Sequence, residues 1–309
     1  MNSKTLFYVL KRIGLAILTI WVVITITFFV MHAVPGGPFV GEKATTPAVQ
    51  AAMEAKYGLD KPVLEQYFTY LGDIVLRFDF GPSLKQRGRQ VIDIIADGMK
   101  VSAKLGLIAA FGALVVGIVL GAVAALRRNK VIDKVIMVIT TAFVSMPSFI
   151  AGALLLTIFA VSLHLLPANG AQKNGLILPV VTLALYPMAY ITRLERSSML
   201  DVLGQDYIRT ARAKGLKNAK VIFKHALKNA MGPVVTYAGP MMASILTGSM
   251  VVENIFSVPG LGRLFVNSML RTDYMMIMGV TIFLAILIVT MNFLADVVYK
   301  LLDPRIDLS

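Results

Sequence analysis

Six runs free of Asp, Glu, Lys and Arg divide this chain: Gly14–Val34, Leu105–Leu126, Val135–Leu166, Asn174–Thr192, Asn229–Val252 and Tyr274–Ala295. A spanning helix needs about 20 predominantly apolar residues. Lipid offers no water to satisfy peptide groups, so an isolated segment crosses a membrane as a helix. The pattern predicts an all-α integral membrane protein with six transmembrane helices. Composition agrees, with 57% hydrophobic and 15% charged residues, against about 25% charged in soluble domains. A net charge of +13 invites a nucleic-acid partner. The basic residues lie between the apolar runs, however, where they have a topological explanation, and no nucleic acid is expected. The absence of cysteine excludes disulfides, thiolate metal sites and a cysteine nucleophile.

Lys4, Lys11 and Arg12 precede a first run of 21 residues. That is longer than the apolar region of a signal peptide, about 7–15 residues, and no small-x-small cleavage site follows, so it reads as an uncleaved span. Lys and Arg in the short connections set the orientation. The 127–134 connection holds four and the 193–228 connection nine, whereas 167–173 holds only Lys173 and 253–273 only Arg263 and Arg271. Both termini are therefore expected in the cytoplasm. Pro35–Lys104 carries nine basic residues, but it exceeds the roughly 60-residue range of the rule, and its eight acids nearly balance them.

That outer segment has helical signals of its own. Thr46-Pro47 and Gly58 bound a short helix over Pro47–Tyr57. Leu64, Tyr67, Phe68, Leu71, Ile74, Val75 and Phe78 recur at helical spacing and predict a second, amphipathic one. It is either a receptor-docking platform or a hairpin that covers the outer mouth. Within the runs, Gly117 and Gly121 form a small-xxx-small pair that admits a neighbouring backbone. Pro147, Pro179, Pro187, Pro233 and Pro240 favour kinks, whether for packing or for a moving pore.

Asp201–Pro233 is the one long charged stretch between two spans. Tyr207, Ile208 and Ala211 share a face before Gly215, a helix stop. Asn218 reads as the N-cap of a second helix. There Ile222, Phe223, Ala226, Leu227 and Ala230 face one way, and Lys217, Lys220, Lys224 and Lys228 the other. The stretch is either a docking element or an ordinary solvated loop.

Enzyme classes fit poorly. There is no Gly-x-x-x-x-Gly-Lys-Ser/Thr phosphate loop, so any ATP energy must come from another subunit. His32, His164 and His225 lie in separate segments without His-Glu-x-x-His spacing, and Ser249 lies in no Gly-x-Ser-x-Gly motif, so neither a catalytic residue nor a metal site is expected. Ion-coupled carriers place ionisable groups deep in their spans. The six runs contain no Asp, Glu, Lys or Arg.

Tyr207-Ile208-Arg209-Thr210-Ala211-Arg212-Ala213-Lys214-Gly215-Leu216, followed by His225–Ala230 and Pro233, resembles the cytoplasmic coupling loop of ABC-importer permeases. The general signature there is Glu-Ala-Ala, three residues, then Gly. Here the leading triplet is Arg209-Thr210-Ala211, the form used by the peptide and nickel branch. Tyr57–Pro62 and Asp79-Phe80-Gly81-Pro82-Ser83 resemble the B-type permease of oligopeptide importers. Gly248–Gly262 with Leu264-Phe265 is similar to the pore-proximal turn of the fifth span, and Leu302-Asp303-Pro304-Arg305 to the family ending.

The resemblance covers nearly the whole chain and implies a type I ABC importer permease fold. Residues 1–34 would form the tail and first helix, and 35–95 the extracytoplasmic helical segment. Residues 96–299 would form a core with helices near 105–126, 135–163, 174–194, 230–252 and 274–299 and a coupling loop at 200–229, followed by a tail at 300–309. It implies a multi-pass subunit of an ATP-driven oligopeptide importer in a bacterial cell membrane. Its partners would be a C-type permease that supplies the other half of the pore, two cytoplasmic ATPase subunits and an extracytoplasmic peptide-binding protein. ATP and Mg would be bound by the ATPases, with no cofactor in this chain. Permeases for dipeptides, nickel or glutathione are alternatives within the branch, and an ion-coupled secondary carrier is one outside it. Asp206, Tyr207, Arg209, Thr210, Ala211, Arg212, Ala213, Gly215 and Leu216 would form the coupling site. In it Arg209 and Arg212 face the ATPase, Ala211 and Ala213 allow close approach, and Gly215 sets the turn. Glu253, Pro259 and Gly260 are candidates for a pore or outer gate, although a single carboxylate at a helix end is more often a solvated marker of a span boundary.

Overall fold

The computed structural model describes residues 3–33, 55, 58–86 and 88–302. The expected helix Pro47–Tyr57, all but one residue of it, and the Asp303-Pro304-Arg305 ending lie outside them. The described residues are helical apart from turns and an isolated bridge between Pro82 and Gln90.

The chain opens with α1 (Ser3–Ala33), followed by α2 (Val63–Arg77), which ends where Phe78 turns left-handed at φ 54° and its N–H donates to the Ile74 carbonyl at 3.1 Å. α3 (Val91–Leu126) runs 36 residues. Its first turns carry Asp93, Asp97, Lys100 and Lys104, so a boundary drawn by charge begins late, at Leu105. Val135–Leu166, expected as one span, is instead broken. α4 (Val131–Ser145) and α5 (Ser148–Leu155), which widens into a π-helical turn over Leu156–Ser162, meet at 109° across Met146-Pro147. Pro147 has no N–H to donate and disfavours helical angles at the residue before it, and Met146 is extended.

α6 (Ile177–Leu203) continues well past the expected boundary at Thr192, and the short α7 (Asp206–Ala213) follows. α8 occupies 218–230: a turn at Asn218–Lys220, a π-helical stretch over Val221–Leu227, and a turn at Lys228–Ala230. The fifth run is divided between α9 (Gly232–Leu246) and α10 (Met250–Ile255), because Gly248 between them takes φ 84°. α11 (Leu261–Leu270) and α12 (Tyr274–Leu302) complete the chain. Among the described residues four helices are long and apolar enough to cross a membrane, within α1, α3, α6 and α12, and five such spans result if the bent α4–α5 pair counts as one.

Two compact units emerge, one of residues up to Lys100 with Leu264–Thr290, the other of Val101–Arg263 with the chain from Met291. In the first, the Tyr67 and Thr25 hydroxyls are 2.8 Å apart, and Tyr67, Tyr70 and Phe28 pack ring against ring, which seats α2 on α1. The loop after α2 is fastened by Asp273, the N-cap of α12. Its carboxylate accepts from the Ser83 hydroxyl at 2.5 Å and from the N–H groups of Leu84 and Met276 at 3.2 Å. The Phe80 ring is fully buried. The Asp79–Ser83 wording thus records a packing requirement.

In the second unit α3 presents a stripe of small buried residues: Gly106, Ala109, Ala110, Ala113, Gly117, Gly121, Ala124 and Ala125. A Cβ on Gly117 would stand 2.9 Å from the Met188 carbonyl oxygen, and one on Gly121 2.7 Å from that of Thr192. Glycine lets α3 and α6 meet backbone to backbone. Ala110, Ala113, Ile191, Val234 and Met241 form the adjoining core.

Candidate functional site

The expected coupling site is a short helix with one buried edge. Ile208 and Ala211 are turned inward against Ala125, Met199, Val221, Ala226 and Ala230, with Leu203 and Leu216 at the margin. Tyr207, expected on the same face, is 43% exposed, and its hydroxyl accepts from Asn229 Nδ2 at 3.2 Å, which joins α7 to α8. Asp206, Arg209, Thr210, Arg212 and Ala213 are exposed. Ala211 departs from its assigned role. At 7% exposure it grants closeness to this chain's own core and offers almost no surface to a partner.

The turn after α7 is fixed by its backbone. Gly215 adopts φ 72°, its N–H donates to the Arg212 carbonyl at 2.9 Å, and the Leu216 N–H reaches the Ala211 carbonyl at 3.4 Å. These are the two bonds of a Schellman motif, whose left-handed position favours glycine. Leu216 then folds onto the cluster that holds Ile208. Asn218, expected as an N-cap, is instead the first helical residue, after Lys217, and no side chain caps the turn. Phe223, expected on the packed face of α8, is 70% exposed. The π-helical stretch explains the change: its hydrogen bonds join residues five apart, a wider winding that brings Val221 and Ala226 inward together. Lys214, Lys217, Lys220, Lys224 and Lys228 are all exposed, so an apolar knob, Phe223, stands in a basic surface.

Glu253, Pro259 and Gly260 are brought into one turn with unequal exposure. Pro259 faces outward, whereas Glu253 and Gly260 are buried. Glu253 is 0% exposed, so the reading as a solvated boundary marker does not hold. Its Oε1 accepts from the Ser102 hydroxyl at 2.7 Å and its Oε2 from the Arg263 N–H at 3.2 Å, while Ser102 Oγ accepts from the Leu261 N–H at 2.8 Å. A side chain at Gly260 would strike Ser102 and Glu253. Ser102, which no motif marks, completes the cluster.

Two further groups lay outside the motifs. Arg196 on α6 grips Asp133 on α4 through two bonds, Nε to Oδ1 at 2.6 Å and Nη2 to Oδ2 at 2.8 Å. Next to Arg196 in sequence, Glu195 is fully buried, and neither of its oxygens has a hydrogen-bond partner among the described residues. Its stem covers Gly121.

These elements match known proteins. Residues 117–308 fit the family described as binding-protein-dependent transport system inner membrane component, and residues 5–101 fit the N-terminal model of such membrane components. The chain belongs to this family. It is 48% identical over 302 residues to the dipeptide transport system permease protein DppB of Bacillus subtilis, covering 97% of this chain and 98% of that one. It is 44% identical, over the same share of each, to the oligopeptide transport system permease protein OppB of Escherichia coli. Among solved structures, inward-facing forms of the MetNI methionine ABC transporter match at TM-scores of 0.57 and 0.54, with 18% and 17% identity, covering 69% of this chain and 98% and 97% of theirs. That likeness establishes the ABC-importer permease fold. This family member is accordingly a permease of the inner membrane.

Proposed function

We propose that this permease is one membrane half of an ATP-driven peptide importer, with oligopeptides as its cargo and dipeptides as the second reading that the Bacillus relative favours. Six spans with both termini in the cytoplasm fit the distribution of Lys and Arg, with α4–α5 as a broken third span and α9–α10 as a divided fifth. The core would extend over 96–299 behind the outer segment 35–95. A homologous C-type permease would close the pore, two ATPases would bind ATP and Mg, and a binding protein would deliver peptide.

One observation carries the coupling assignment: α7 is clamped by Ile208 and Ala211 at the end of α6, while Arg209, within 3.4 Å of Asp206, and Arg212 stay exposed towards a partner. A rigid seat lets a push on α7 reach the spans. ATP-driven closure of the ATPases would move α7 and switch the pore between two access states. Phe223 joins Arg209, Thr210, Arg212 and Ala213 as a docking residue, and Ala211, Gly215 and Leu216 hold the helix in place. The Glu253–Gly260 turn would shape the outer gate.

The test is a mild-detergent pull-down of the tagged chain with mass spectrometry. Wild type should retain a second six-span protein and P-loop ATPases, and Arg209→Glu/Arg212→Glu should lose the ATPases and peptide uptake while keeping the permease partner. A chain that purified alone and moved solute in liposomes would overturn the assignment.

A further inference from the structure

We propose that α2 is an in-plane membrane helix: its face of Leu64, Phe68, Leu71 and Val75 is covered by lipid acyl chains at the Ala33 end of α1. At about 100° per residue these four side chains fall in one sector of about 60°. Leu64, Phe68 and Val75 are 63%, 66% and 64% exposed. The adjacent sector of Tyr67, Tyr70 and Ile74 is buried. The remaining sector is polar except for the exposed Leu76, and its Gln66, Thr69 and Asp73 line a cavity of about 230 Å³ with Lys61 and Asp79. One helix thus has a protein face, a wet face and an unpartnered apolar face.

Depth identifies what covers the third. α2 sits on α1 through Thr25, Phe28 and His32, the last 3.0 Å from the Gln66 side chain. Phe28 is five residues, about 8 Å, from the end of α1, and amphipathic helices lie about 5–10 Å into the boundary between headgroups and acyl chains. The apolar face is continuous in kind with Ile26, Phe29 and Val30 of α1, which are exposed within a span that is only 11% buried. Charges stand at both ends of α2, with Lys61 bonded to Glu65 at 2.8 Å and Arg77 to Asp73 at 3.3 Å, as they would at headgroup level. The inference needs α1 to cross the bilayer and is independent of the cargo.

The chain has no cysteine, so single substitutions Phe68→Cys, Val75→Cys, Thr69→Cys and Val30→Cys can each carry one nitroxide. The full chain in lipid nanodiscs is measured by power saturation against oxygen, which partitions into acyl chains, and against a water-soluble nickel chelate. It is measured again after the partner permease and ATPases are added. Positions 68 and 75 should favour oxygen as position 30 does, before and after assembly, and position 69 should favour the chelate. Chelate access at 68 and 75 equal to that at 69 would overturn the proposal in favour of a water-facing platform. Loss of both collision partners at 68 and 75 on assembly would overturn it in favour of a protein contact.

Discussion

Ser102 and Glu253, 151 residues apart in the chain, share a buried hydrogen bond of 2.7 Å in which the hydroxyl donates to the carboxylate. The same Ser102 oxygen accepts from the Leu261 N–H, so one small side chain satisfies groups at both ends of the proline- and glycine-rich turn. Ser102→Ala removes both bonds and leaves buried polar atoms unpaired, at about 1–3 kcal/mol for each. The purified permease should show a lower midpoint in thermal unfolding in detergent. Ser102→Thr keeps the hydroxyl and should lose less. Equal midpoints for wild type and alanine variant would count against the cluster as a structural lock.

Glycines on α3 separate into two classes by what surrounds them. A methyl group on Gly121 would stand 2.7 Å from the Thr192 carbonyl oxygen and from Glu195 Cβ, whereas one on Gly112 would meet nothing within 4 Å. Gly121→Ala must force α3 and α6 apart, at about 1–3 kcal/mol. Gly112→Ala should be neutral or stabilising by about 0.5–1 kcal/mol, since alanine restrains the unfolded helix residue. The two midpoints, measured side by side, should therefore shift in opposite directions or only for Gly121.

Apolar length and turn chemistry were the legible part of the sequence. The helical ends at Leu126 and near Gly215, the bend at Pro147 and the contact role of Gly117 and Gly121 are local consequences of residue type. What stayed hidden depends on partners distant in the chain. Nothing near Ser102 announces Glu253, and nothing near Asp133 announces Arg196. A repeat of 3.6 residues turns Phe223 inward, whereas the backbone over Val221–Leu227 takes the wider π repeat. The fifth run failed as a single helix because Gly248 breaks it, and a charge count is blind to backbone angles. The Arg196 case follows from the same blindness. Drawn at Thr192, the span ended just before the residues that fasten α6 to α4.

That fastening yields a severe expected loss. Asp133 is 4% exposed and Arg196 23%, and their two bonds form a planar fork, with the Asn129 N–H donating to Oδ2 at 2.9 Å. Arg196→Gln leaves a buried carboxylate with one backbone donor, and removing one partner of such a pair costs about 3–5 kcal/mol. Arg196→Lys keeps the charge but supplies no fork, so its loss should be intermediate. Asp133→Asn combined with Arg196→Gln removes both charges and should recover part of what Arg196→Gln loses. Thermal unfolding of the four proteins in one detergent gives the order, with wild type highest and Arg196→Gln lowest. If the double variant fell below Arg196→Gln, the cost would lie in lost packing, and the uncompensated charge would not be its cause.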